Sequence, residues 1–274
     1  MKKAYFIQFR TALFILFVLS FCGIVRAQTI QLSTEEIRWI GERVFENECA
    51  SKDECLIEWN EGEDFLSLGI GHFIWYPKGK GGPFEKSFPE FLNYAKVSGE
   101  KIPRWLDTDL SPFRPWYSRA DFLNNQKDHR SLELREFLIA TKLLQAAFIV
   151  ERLENALPLM LKNSPKDNRE KIALQFNRLI STLSGVYALA DYINFKGLGI
   201  TTYESYQGKG WGLLQVLSEM KEVDNESDLL KEFSVAAKKI LEERVNNSPQ
   251  ERNEKKWLPG WQKRVNSYFN DKRN

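Results

Sequence analysis

Past residue 27 the sequence has no apolar run long enough to cross a membrane, no internal repeat, no low-complexity tract and no contiguous basic face. A membrane-spanning helix needs about 20 apolar residues, so no integral segment is expected there. Phosphate neutralisation demands a basic surface, so a nucleic-acid binder is disfavoured. Cysteine is scarce, at three residues in 274. Two of these, Cys49 and Cys55, have no histidine beside them in sequence and make a poor zinc site. Disorder is excluded by the apolar content of 43%.

What is present starts at the N-terminus. A basic opening, "MKKAYFIQFR", leads into "TALFILFVLSFCGIV" and then "VRA". A charged region, a short apolar region and a small-residue cleavage signal together read as a secretory signal peptide, residues 1–27, cut near Ala27. Export to the periplasm or beyond is expected. Cleavage removes Lys2, Lys3, Arg10 and Arg26, so the 39 basic residues less these four leave 35 against 37 acidic ones. In an oxidising compartment Cys49 and Cys55 are expected to bridge.

Ser33-Thr34-Glu35-Glu36 has the form of a capping box and predicts a helix. Ile37, Ile40 and Val44 recur at helical spacing, and four residues further on the same face reaches Glu48. A carboxyl on an apolar face is desolvated, which suits a general acid. The same position also suits a structural ion pair, with Arg264 as a candidate partner. Trp59–Gly62 reads as a turn, and "EDFLSLGIGHFIWY" as a small antiparallel hairpin whose glycines mark a bend or a close backbone approach. In an extended strand Glu61, Glu63 and Ser67 would share one side, with Asp64 on the other.

Residues 77–120 are rich in proline, glycine and aromatics and read as ordered but irregular. A long helix is predicted from about Leu132 and disturbed near Pro158. Ser164-Pro165 opens another, with a break near Gly185 and a stop at Gly197. Three further helical pieces follow. One helix, a small sheet and many helices make an α+β, mainly α chain. One domain is expected over residues 28–274, with the N-terminal helix, hairpin lobe and aromatic insertion in 28–130 and the helical lobe in 131–274. Eight tryptophans point either to a heavy aromatic core or to sugar-stacking platforms.

"SLGIGH", Ser67–His72, resembles the hairpin signature of the phage-type lysozymes. The "NEC" that ends the first helix is similar to their catalytic glutamate segment and maps that residue onto Glu48. "QKRVNSYF", Gln262–Phe269, resembles their C-terminal helix, and "ALADYINFKG", Ala188–Gly197, their central helix. "WNEGEDFLSLGIGHFIWYP" also resembles a group of exported bacterial proteins in the lysozyme-like superfamily. The resemblance implies a lysozyme-like fold and hydrolysis of β-1,4 linkages in peptidoglycan or a related polysaccharide. It implies Glu48 as acid, Glu61 or Glu63 as the second carboxylate, and Ser67 as the residue that positions water. Glu61 matches by ungapped position, whereas Glu63 lies nearer the expected strand.

Two carboxyls suffice for this chemistry, so no metal or organic cofactor is implied. His72 is mainly structural in the resembling family. Trp75, Tyr76, Trp211 and Trp261 are candidates for sugar stacking, and Asp191, Tyr192 and Asn194 for lining the cleft. The expected partner is cell-wall polysaccharide or another glycan, and the expected state a monomer. Lytic transglycosylase chemistry on one glutamate, and an inactive polysaccharide-binding or envelope scaffold, stay open as alternatives.

Overall fold

The structure, a computed structural model, describes residues 30–77, 79–82, 84–107 and 116–269. The expected signal peptide lies outside the described residues. Helix α1 (Thr34–Cys49) begins with the expected capping box. The Ser33 hydroxyl accepts the Glu36 N–H at 3.3 Å, and the Glu36 carboxylate accepts the Ser33 N–H at 2.7 Å. Ile40 and Val44 are fully buried, and one turn on the Glu48 side chain is 15% exposed. The helix ends at Ala50 in the left-handed region, with φ 47°. A Cys49–Cys55 disulfide, Cα atoms 5.4 Å apart, ties that end to the 3-10 turn Asp53–Leu56.

Strands β1 (Ile57–Glu58), β2 (Leu66–Leu68) and β3 (Phe73–Trp75) form an antiparallel sheet in that order. Leu66 and Leu68 are buried on one face; Ser67, on the other, pairs with Glu58 and Ile74. Gly69 opens the β2–β3 turn at φ 71°, a conformation that side chains disfavour. A Cβ there would stand 2.3 Å from Gln145 Oε1. That oxygen accepts the Ile70 N–H at 2.8 Å, and fully buried Gln145 donates to Leu138 O and Thr141 Oγ1. The hairpin is thereby pinned to the helices behind it.

The remaining helices are α2 (Ser87–Val97), α3 (Arg119–Asn124), α4 (His129–Ala140), α5 (Lys142–Glu154), α6 (Ala156–Lys162), α7 (Lys166–Leu179), α8 (Leu183–Lys196), α9 (Leu213–Glu219), α10 (Glu226–Asn247) and α11 (Leu258–Ser267). A short hairpin, β4 (Ser205–Tyr206) and β5 (Lys209–Gly210), separates α8 from α9. The described chain is mainly helical with small antiparallel sheets, as its patterning indicates. Helix α8 is buried on every side from Ser184 to Ile193 and packs against α1, α5 and α9. No helix among the described residues is long and apolar enough to cross a membrane.

Several local expectations are corrected. The long helix is cut at Asn155, near Pro158 as expected, and also at Thr141, where no break is expected. Pro158 sits in the first turn of α6, where its missing N–H breaks no helical bond. Pro165 is the cap of α7 and not its first residue. The break expected near Gly185 falls just before it, where the Thr182 hydroxyl accepts the Gly185 N–H at 3.1 Å and starts α8. The 77–120 segment contains a helix, α2, packed on β3 and α5. Its rings join the core: Trp105 lies 6.5 Å from both Trp75 and Trp116, and Trp116 lies 5.2 Å from Phe122.

Candidate functional site

The end of α1 meets the β2–β3 turn. Glu48 Oε2 lies 3.5 Å from His72 Nδ1, and His72 Nε2 lies 3.1 Å and 3.4 Å from the sulfurs of Cys55 and Cys49. A histidine absent from the cysteines' sequence neighbourhood is thus against them in space, which corrects the sequence expectation. Those sulfurs would be metal ligands only as free thiolates, and the disulfide withholds both.

Glu48 Oε1 accepts from Arg264 Nη2 at 2.7 Å and from Asn194 Nδ2 at 3.1 Å. A Cβ on Gly71 would stand 2.9 Å from Asn194 Oδ1, so the hairpin backbone reaches this amide only because residue 71 is glycine. Arg264 also forks onto Asp191 through Nε at 2.8 Å and Nη2 at 2.7 Å. Asp191 is fully buried and takes further bonds from Tyr268 at 2.6 Å and Asn47 at 3.1 Å. Burial alone works against the charge of Arg264, but Asp191 and Glu48 outweigh it and hold its pKa well above the ordinary arginine value. Burial, reinforced by Asp191, raises the Tyr268 pKa well above the usual phenol value and keeps it a donor.

The acid cluster is arranged differently from the parity reading. Strand β2 starts only at Leu66, and Glu63 N–H closes a turn onto Asn60 O at 3.3 Å. Alternation therefore does not apply to Glu61 and Glu63. Glu61 is exposed at the turn tip beside Gly62. Glu63 is half-buried, accepts from Asn60 Nδ2 at 3.1 Å and is held by the Trp59 indole N–H on its backbone carbonyl at 2.7 Å. Burial, against the pull of Asn60 and His72 and with the help of Glu58, raises its pKa. Ser67 is buried opposite Glu58, whose carboxylate lies 3.8 Å from Cys55 Sγ.

Glu48 thus meets His72, Glu58 stands across from Ser67, and His72 and Glu58 both act on the charge of Glu63. Glu58 escaped sequence reasoning because only the β1–β2 register places it beside Ser67.

Other candidates part company. Trp75, Tyr76, Tyr192 and Trp211 are buried, at no more than 5% exposed, and this corrects the expectation of Trp75, Tyr76 and Trp211 as sugar platforms and of Tyr192 as a cleft-lining residue. Trp75 packs on Phe88, Tyr76 on Phe65, and Trp211 on Tyr206, while the Tyr192 hydroxyl donates to Trp211 O at 2.9 Å. Asp191 is likewise behind Arg264 and not at a ligand surface. Asn194 remains beside the glutamate, and half-buried Trp261 packs on Phe195, the next residue along α8. Two surface pockets lie elsewhere, one between α1 and α5 at Phe45 and Leu143, the other at Ile180 and Leu183. Neither brings two carboxylates together. Comparison with protein families, curated proteins and solved structures returned no match.

Proposed function

We propose that the chain is an exported glycoside hydrolase of lysozyme type, acting on β-1,4 linkages of peptidoglycan or a related polysaccharide. The observation that carries this reading is the contact of Glu48 with His72 at 3.5 Å, where a helix end meets a glycine turn, with half-buried Glu63 near enough to feel the charge of the same histidine. Glycoside hydrolysis needs one protonated carboxyl to give a proton to the leaving oxygen, and one ionised carboxyl to attack or to activate water. Two environments that differ supply the two states. Glu48, oriented by the Arg264 guanidinium at 2.7 Å, serves as the group that attacks or activates water. Glu63, with its pKa raised by burial, serves as the proton donor. This reverses the roles expected from sequence, where Glu48 was the acid. Ser67, opposite Glu58 on β2, helps hold the water.

One observation favours the inactive alternative. Glu48 Oε1 is already bound by two donors, as in a structural ion pair. Purified cell wall separates the readings. Wild type is expected to clear wall suspensions and release soluble saccharide fragments. Glu48→Gln and Glu63→Gln should each lose at least about a hundredfold in rate, on the usual scale of general acid–base catalysis. Exposed Glu61→Gln should stay within about twofold of wild type. Wall that pellets with the protein but releases nothing would establish the scaffold reading instead.

A further inference from the structure

Lys196 ends α8, two residues after the Asn194 that touches Glu48. Its ammonium lies 3.5 Å from the Trp261 ring centroid and 3.9 Å from that of Phe195. The Phe195 ring also carries the Arg264 guanidinium at 4.3 Å. Trp261 faces Arg244 at 5.0 Å, and Arg244 lies over Trp211 at 4.0 Å. Three cations therefore alternate with aromatic rings along one wall beside Glu48.

Two of the three are paired. Arg264 has Glu48 and Asp191, and Arg244 forks onto buried Glu254 at 2.7 Å and 2.9 Å. Arg252 shares Glu254 at 3.4 Å. Lys196 makes no hydrogen bond or ion pair among the described residues, and ring faces are its only partners. Of the three cations, Lys196 alone has no anion against it among the described residues.

The unpaired ammonium is costly. Removing an ion from water costs more than a desolvated ring face returns. Burial, then Arg244 and Arg264, hold the lysine's pKa well below its ordinary value, against the opposing pull of Glu254 and Glu48. Lys196 nonetheless keeps part of its surface in solvent. A methionine would fill the same aromatic slot without the charge penalty.

We propose that Lys196 receives a carboxylate of the ligand, so that the site beside Glu48 takes an acidic saccharide in preference to a neutral one. This rests on reading the Glu48 site as a polysaccharide site. A single carboxylate matches the single uncompensated charge, and the half-buried face of Trp261 suits the apolar side of a sugar ring.

The test is a titration of the purified protein followed by tryptophan fluorescence, since Trp261 stands against the ammonium. Three probes are used: a peptide-free peptidoglycan hexasaccharide bearing its lactyl carboxylates, the same oligomer with those carboxyls reduced to alcohols, and free glucuronate. Wild type should bind the acidic oligomer at least tenfold more tightly than the reduced one. Lys196→Met should lose that preference with its affinity for the reduced oligomer unchanged, and Lys196→Arg should retain it. Equal affinity of wild type for both oligomers would overturn the carboxylate site and leave the polysaccharide reading standing. A preference that survives in Lys196→Met would also overturn it. Glucuronate binding to wild type but not to Lys196→Met, with neither oligomer bound, would uphold the anion site and defeat the polysaccharide reading. Binding of no probe would overturn both.

Discussion

Arg264→Met is the most informative single substitution in the chain. Its guanidinium is enclosed and donates three bonds of 2.7–2.8 Å, two to Asp191 and one to Glu48. Methionine keeps much of the volume and removes all three donors. Asp191 is fully buried, and it would retain only the Tyr268 and Asn47 donors at 2.6 Å and 3.1 Å against a full negative charge. Breaking a buried pair by removing one partner costs about 3–5 kcal/mol, because a buried charge is left uncompensated. In a chain of this size each kcal/mol moves the melting midpoint by about 2–4 °C, so a fall of about 10 °C is expected. Thermal melts by circular dichroism, with the disulfide intact, measure it. Adding Asp191→Asn removes the stranded charge, and the double variant should recover part of the loss. Lys196→Met, a cation removed from the same wall but with no anion to strand, should melt no lower than wild type. If Arg264→Met melted within about 2 °C of wild type, the buried network would not hold α1, α8 and α11 together as described here.

Two further outcomes are expected. Burial raises the Glu63 pKa in the folded state, so its contribution to stability is present below the ordinary carboxylate range and lost as pH rises through the raised value. Urea unfolding of Glu63→Gln should therefore match wild type near pH 4 and show a relative gain at neutral pH; a gain independent of pH would contradict it. Gly69→Ala combines a φ of 71° with a Cβ placed 2.3 Å from Gln145, whereas Gly99→Ala has a φ of 81° and open space. The first should cost about 3 kcal/mol and the second about 1 kcal/mol, and equal losses would show that the Gln145 contact is unimportant.

Much of the scaffold was legible from residues close in sequence. Ser33 and Glu36 announced α1, the turn at Trp59–Gly62 lies where its residues indicate, and Gly197 ends α8 with φ 81°. Helix breaks were less legible. Thr141 interrupts the chain with no proline or glycine beside it, whereas the break at Asn155 lies three residues before Pro158. The parity applied to Glu61 and Glu63 failed because a turn, closed by the Glu63 N–H, precedes the strand. The aromatics divided by burial, a quantity that residue type does not carry: Trp75 and Trp211 are 5% exposed, while Trp257 is 43% exposed.

The sequence by itself determined the helical character, the place of Glu48 at the end of a buried helix face, and the turn formed by two glycines. These depend on spacing and backbone freedom within a few residues. Only the tertiary structure decided which charges meet. Arg264 reaches Glu48 across 216 positions and Asp191 across 73, and the β1–β2 register sets Glu58 beside Ser67. Whether a carboxylate is balanced, as at Glu48, or a cation is left over, as at Lys196, depends on partners brought together by folding. Charge and desolvation are properties of that neighbourhood, and no pattern of adjacent residues contains them.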